Sequence, residues 1–408
     1  MRIHFSRLAP CLLAIIIDNL GFGLVYPILA GLFTGGSFFP IHTPESTIDF
    51  YLGLAYLLYP LCMFFGASLL GDLSDMYGRK KIIVLCMGGL ALSFFLMGLS
   101  VSLSFLPYLL LGRITSGLFS GSLPIVQASI VDQSLPANKT INMTLIGLTL
   151  SIGLILGPFL GGILSDPLIA KPFSYSTPFY FSAVLALICM IWILFSFQET
   201  FRKTTKKSLH FLRPIHIFIE AFVNKRLRLL SFVFLIMQTG FGLFFTLGIV
   251  YLKTNCDYSS WQLGAFNGWI GVGFTFGMLF IARVVAKKYS AESIAAISMY
   301  VTAFSQLLFF FHLSQPWVWA IAFPIAASDM LAYTSMITSF SNTADELSQG
   351  WVMGIATAVM AIAWVFSGLG ANLLFLGANI VVGLGGILLL IASTLMLFYS
   401  RQYGQKAA

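Results

Sequence analysis

Long, continuous apolar runs separated by brief polar stretches dominate the chain. They fall at residues 8–30, 50–70, 81–101, 104–131, 140–165, 177–197, 229–252, 260–286, 292–312, 316–340, 350–375 and 377–400. A helix that crosses a membrane needs roughly 20 apolar residues, and each run is long enough. An outer-membrane barrel would show apolar and polar residues alternating in segments of about 10; these runs do not alternate. The pattern predicts an all-α polytopic membrane protein with twelve transmembrane helices. The last two runs are divided only by a short break near Gly377. The opening residues MRIHFSR resemble the charged start of an export signal. The run that follows continues to about Phe33 and contains Asp18, so it is expected to be the first span rather than a cleaved leader.

Composition agrees with the pattern. Of 408 residues, 58% are hydrophobic and only 9% charged, against about 25% charged in an ordinary soluble domain. A soluble enzyme, a nucleic-acid-binding module and a disordered chain are excluded as descriptions of the whole. The net charge of +8 finds its place in topology. With the N-terminus inside, 19 of the 22 Lys and Arg fall on the inner side, which predicts both termini in the cytoplasm. Eight of them crowd into 198–228: Arg202, Lys203, Lys206, Lys207, Arg213, Lys225, Arg226 and Arg228. This stretch divides the chain into an N-terminal six-helix bundle (1–198), a basic cytoplasmic linker (199–228) and a C-terminal six-helix bundle (229–408). The linker is expected to lie on anionic lipid headgroups. Transporters are commonly built from two such repeats, with substrate bound near mid-membrane.

No catalytic constellation emerges. His4, His42, His210, His216 and His312 are dispersed, so no metal site is expected. Of the cysteines, Cys11, Cys62, Cys86 and Cys189 sit in apolar runs and Cys256 in an expected outer loop, which gives no disulfide framework. A phosphate-cradling G-x-x-x-x-G-K-[ST] loop is absent from the sequence, which argues against ATP-driven transport. No cofactor is expected.

Chemistry concentrates in the first half. Between spans two and three the chain reads Gly71-Asp72-Leu73-Ser74-Asp75-Met76-Tyr77-Gly78-Arg79-Lys80-Lys81, a tight turn in which Gly78 can adopt a left-handed backbone. It resembles the signature loop of the major facilitator superfamily, G-x-L-[AS]-D-[RK]-x-G-R-[KR]. Met76 departs from it, standing where that family usually has a base. The resemblance implies the major facilitator fold of two pseudo-symmetric six-helix bundles around a central cavity, and a cytoplasmic gate of Gly71, Asp75, Gly78, Arg79, Lys80 and Asp132. In that gate Asp75 would meet the start of span eleven near Gly350–Gly354, and Arg79 would pair with Asp132.

Span four carries Arg113, Ser116, Gly117, Ser120 and Pro124 on one helical face. An arginine within the bilayer is costly and usually faces a cavity or a counter-ion. Its R-x-x-x-G-x-x-x-G pattern resembles the superfamily's span-four motif, associated with proton coupling. Span one reads Asp18-Asn19-Leu20-Gly21-Phe22-Gly23-Leu24-Val25-Tyr26-Pro27, similar to the first helix of tetracycline-type proton antiporters. A dry site favours a neutral carboxyl and a nearby cation favours a charged one. A site alternating between dry and wet beside a movable Arg113 would take up and release a proton at Asp18. A fixed Asp18–Arg113 pair is the alternative. In span five Gly153, Gly157 and Gly161 recur every four residues, giving a smooth packing stripe, and Pro158 permits a bend. With Gly162 they resemble the antiporter motif G-x-x-x-G-P-x-x-G-G, which favours export. The Phe197-Gln198-Glu199-Thr200 ending of span six resembles drug-exporter relatives.

In the second half Asp329, with Tyr333 one turn on, is an intramembrane acid and so a candidate second proton site or substrate counter-ion. Asn19, Tyr26, Ser116, Gln238, Asn267, Tyr333 and Trp364 are candidate cavity residues. Taken together, the resemblance to twelve-helix drug:proton antiporters implies secondary active export of a small organic compound in exchange for protons, without enzyme activity or a nucleic-acid partner. The short loops favour a bacterial inner membrane, and a monomer is expected. The alternatives are a dedicated transporter of a siderophore, amino acid or sugar, including an importer, and a non-transporting receptor or scaffold.

Overall fold

Every regular element among the described residues is helical. The computed structural model describes residues 5–35, 38–133, 139–199, 212–311, 314–343 and 349–403. In chain order the helices are α1 (Phe5–Thr34), α2 (Glu45–Tyr77), α3 (Arg79–Leu103), α4 (Leu106–Phe119), α5 (Ser122–Gln133), α6 (Lys139–Ser165), α7 (Thr177–Ser196), α8 (Arg213–Val223), α9 (Arg228–Cys256), α10 (Ser260–Phe276), α11 (Ala282–Val285), α12 (Ala291–Leu307), α13 (Gln315–Asn342), α14 (Gln349–Leu369) and α15 (Ala378–Tyr403). Among the described residues 11 helical stretches are long and apolar enough to cross a membrane, and α6 adds the apolar stretch Ile152–Ser165. The twelve predicted spans are thus present.

Helix is the only regular form these runs can take in lipid, because each backbone group must find its partner within the segment. Prolines 27, 60, 158 and 324 lie inside helices. In a soluble helix interior each would cost about 3 kcal/mol; membrane helices tolerate proline because neighbouring helices and Ser or Thr side chains can satisfy the freed carbonyls.

Four details refine the even pattern of the sequence. The predicted turn at 71–81 is helical through Tyr77, so Gly78 alone breaks α2 from α3. Its φ of 103° explains why glycine stands there. The run read as span four is two helices, α4 and α5, interrupted at Ser120–Gly121. The basic linker contains α8, an 11-residue helix that charge counting did not foresee. The short break near Gly377 is realised as a turn of 3-10 helix, Gly370–Leu376, followed by Gly377 at φ 101°.

The chain forms two compact units. The first contains Met1–His42, Leu58–Phe211 and Ser259–Gly268. In it α1 packs on α6 and α7, and α3 packs on α4 and α7. Glycine sets the α1–α6 distance. A Cβ on Gly153 would stand 2.8 Å from the Ile16 carbonyl oxygen, one on Gly157 2.5 Å from that of Leu20, and one on Gly161 3.0 Å from that of Leu24. The four-residue stripe of α6 therefore runs along a four-residue row of α1 backbone.

The second unit contains Thr43–Leu57, Leu212–Tyr258 and Trp269–Ala408. Here α15 packs on α9 and α12, and α12 packs on α13. Its core gathers Leu230, Phe234, Met237, Met299, Met336, Phe340, Val359 and Met396. Gln306 of α12 ties two neighbours together, its Nε2 donating to the carbonyls of Gly240 in α9 (2.9 Å) and Val382 in α15 (2.8 Å).

Candidate functional site

The interruption of span four creates the most unusual polar site of the first unit. A helix that begins inside a membrane leaves its first N–H groups without intrahelical partners. α5 begins at Ser122, and an acid of α1 meets that end. Ser122 Oγ donates to Asp18 Oδ2 at 2.6 Å, and the Ser122 amide and the Ser120 hydroxyl also face the carboxyl. Asp18 is buried, so this acceptor belongs to the interior rather than to bulk water. Half-helix N-termini pointing at anionic groups recur in membrane transporters.

Arg113 lies one step away, fully buried on α4. Its guanidinium carbon is 4.9 Å from the ring centre of Tyr59 and 6.0 Å from that of Tyr26, a cation over aromatic faces. The Tyr59 hydroxyl shares a 2.8 Å hydrogen bond with Ser120 Oγ, and Phe22 packs edge-on to Tyr26 with ring centres 5.1 Å apart. Arg113 is thus connected to the Asp18 carboxyl through Tyr59 and Ser120, and the hydrogen bond to Asp18 comes from Ser122. Tyr59 and Ser122 were not foreseen as site residues, and Ser120 was marked only as part of the helical face that carries Arg113. The signal for Ser120 and Ser122 was the Ser-Gly-Ser run inside an apolar span, a common place for a helix to break; Tyr59, on α2, had none. Ser116 is buried on the same helix. Asn19 turns its Nδ2 back to the Ile15 carbonyl at 2.9 Å.

At Gly78 the structure assigns a task to Glu199, which the sequence marked only by likeness. The Arg79 and Lys80 amides donate to Glu199 Oε1 (3.0 Å) and Oε2 (3.2 Å). The carboxylate therefore caps the N-terminus of α3, where the helix dipole favours an anion. A Cβ on Gly78 would collide with that carboxylate, so both the backbone angle and the cap demand glycine. Arg79 and Asp72 are buried here and Asp75 is half-buried. Replacing Glu199 by Ala should lower stability by about 1–2 kcal/mol, the usual worth of a helix cap, read as a fall in melting temperature of the purified protein. An unchanged melting temperature would mean that the cap is energetically idle.

A second carboxylate cap lies at Asp166, which the sequence reading did not single out. It is buried just after α6, accepts from the Leu168 amide at 2.9 Å and from the Trp261 amide at 3.3 Å, and so meets the first turn of α10. Beside it Ser260 Oγ donates to the Tyr175 hydroxyl at 3.1 Å. Gly162 and Gly264 touch backbone to backbone, with a Cβ on either closer than 3.0 Å to the other's Cα.

In the second unit Asp329 is buried on α13, and its Oδ1 has no hydrogen-bond partner. Tyr333, one turn on, packs against Phe234 of α9 at 6.0 Å between ring centres. Gln238 of α9 accepts from Trp364 Nε1 at 3.3 Å, and Trp364 meets Phe245 edge-on at 5.6 Å. Four of the candidate polar residues of this half thus sit on facing stretches of α9, α13 and α14. Asn267 is buried within the first unit with neither amide atom hydrogen-bonded. The side chains of Asp132 and Lys139, together with His4, Thr200, Arg202, Lys203, Lys206, Lys207, His210 and His312, lie outside the described residues, as do the surroundings of Gly350.

An acid at the head of a half-helix, inside a set of membrane spans, is compatible with a secondary transporter. Comparison with known proteins gives the same class: residues 8–368 match the family model of the Major Facilitator Superfamily, and the chain belongs to that family, whose members are membrane transporters rather than enzymes. It is similar to the tetracycline resistance protein, class H, of Pasteurella multocida, with 27% identity over 361 residues, 87% of this chain and 85% of that one. The crystal structure of the human organic anion transporter MFSD10 (TETRAN) shares the fold, with TM-score 0.71 and 20% identity over 97% of this chain and 100% of that one. So does that of the POT family transporter PepTSo, with TM-score 0.77 and 11% identity over 98% of each chain.

Proposed function

We propose that the protein exports a small organic, drug-like compound in exchange for protons, by alternating access. The observation that carries this reading is the Asp18 carboxyl held by Ser122 at the start of α5. A hydroxyl can donate to a carboxylate or accept from a carboxylic acid, so the site offers a hydrogen bond to either protonation state. Asp18 carries the proton, and Arg113 tunes it through Tyr59 and Ser120. Asp329, buried with an oxygen that lacks a partner, is a second titratable site, with Gln238, Tyr333, Trp364 and Asn267 as candidate contacts for substrate alongside Asn19, Tyr26 and Ser116. The direction of transport is supported by the glycine-proline run of α6 and by the name of the tetracycline resistance relative.

The halves that alternate are residues 1–198 and 229–408, joined by the basic stretch 199–228. Both termini face the cytoplasm of a bacterial cell, where Asp75, Arg79 and Asp132, with Gly71, Gly78 and Lys80, form the gate. The protein works as a monomer in this reading.

The test loads energised cells with a panel of fluorescent lipophilic compounds. Efflux of at least one compound is expected, and collapsing the proton gradient should stop it. Efflux that continues after collapse would refute proton coupling. Gradient-driven accumulation in place of efflux would make the protein an importer.

A further inference from the structure

α8 presents two apolar faces, and only one of them is covered by protein. Pro214 and Ala221 are buried, and Ile217, Phe218 and Phe222 pack against the core of the second unit. On the neighbouring arc Ile215, Ile219 and Val223 are 37%, 51% and 72% exposed, with Leu212 at 57% beside the helix start. At 3.6 residues per turn these four fall within an arc of about 80°. Arg213, His216 and Glu220 follow on the polar edge and are exposed. Beyond the helix, Lys225, Arg226 and Arg228 are exposed in the turn into α9, and none of the three has an ion-pair partner among the described residues. Glu220 Oε2 accepts from Trp351 Nε1 at 2.7 Å, which fastens the polar edge to the start of α14.

We propose that this uncovered face is a docking surface for an anionic lipid leaflet. The occupant follows from what the helix displays. A row of large apolar side chains beside unpaired cations matches the boundary between acyl chains and phosphate headgroups, where amphipathic helices with basic polar faces lie. α8 is also tethered there, since only four residues separate it from the membrane span α9. Ile215, Ile219 and Val223 enter the acyl boundary. Lys225, Arg226 and Arg228 meet headgroup phosphates, each strengthening association by about fivefold. Through Glu220 and Trp351 the leaflet thereby holds the first turn of α14. This inference goes beyond the transport reading and stands whatever the substrate is.

The test is hydrogen exchange of the full-length protein in nanodiscs of phosphatidylcholine alone or with added phosphatidylglycerol. Amides of residues 213–223 should exchange about fivefold or more slowly in the anionic discs, the equivalent of at least one headgroup contact. The triple variant Lys225→Gln, Arg226→Gln, Arg228→Gln, altered only at exposed positions, should lose that difference. Raised salt should shrink it in the wild type, because surface charge is screened within about 10 Å at 0.1 M. Equal exchange in the two lipids would overturn the proposal. So would a difference that persists in the triple variant, or protection that appears only when an acidic soluble protein is added.

Discussion

Asp18→Asn is expected to abolish gradient-driven transport while leaving a folded, inserted protein. Asparagine keeps the size and one acceptor oxygen of the carboxyl, so Ser122 can still donate to it across the α1–α5 contact. What is lost is the charge on the acceptor and the capacity to bind a proton. The structural cost should be that of exchanging a charge-assisted hydrogen bond for a neutral one, about 1 kcal/mol. Transport and stability should therefore separate: the variant is stopped in efflux but elutes and melts close to the wild type. An Asp18→Asn protein that pumps at the wild-type rate would remove the proton from this residue and leave Asp329 as the remaining candidate. A variant that fails to fold would instead mark Asp18 as the structural cap of α5.

Gly157→Leu should do the opposite, destroying the fold rather than the chemistry. A Cβ at 157 would lie 2.5 Å from the Leu20 carbonyl oxygen and 3.0 Å from the Leu20 Cα. Those neighbours are backbone, so α1 and α6 would have to move apart, taking Gly153 and Gly161 out of contact with it. Overpacking by a few methylenes typically costs about 1–3 kcal/mol, and a leucine against rigid backbone belongs at or above the top of that range. The expected readout is a large fall in melting temperature and in the yield of monodisperse protein. Gly71→Ala is the control, because nothing lies within 4 Å of a Cβ there, and it should melt like the wild type. Equal behaviour of the two variants would contradict the packing role of the stripe.

Much of the fold was legible because lipid makes hydropathy decisive. A run such as 81–101 has no alternative to a spanning helix, and α3 is observed over Arg79–Leu103. Gly78 was legible for a local reason, its backbone angle. The break in span four was harder: Ser120 and Gly121 are only two residues in an otherwise apolar run, and continuous helix was the simpler reading. What decides it is a partner 104 residues away, Asp18, which no local pattern can show. Glu199 is the same case, capping amides 119 and 120 residues earlier in the chain. Asp166 stood in a short loop without a recognisable motif, and its partner Trp261 is 95 residues on. α8 escaped notice because eight Lys and Arg between 198 and 228 hid its apolar faces.

Proton-coupled export is tested most directly with purified protein in liposomes containing a trapped pH-sensitive dye. A compound identified by the efflux panel is added to one side, and the proton movement it drives is recorded for the wild type and for Asp18→Asn. The expected result is proton flow opposite to the compound in the wild type and none in the variant. Movement of the compound without protons, protons travelling in the same direction as the compound, or equal proton flow in the two proteins would contradict antiport through Asp18.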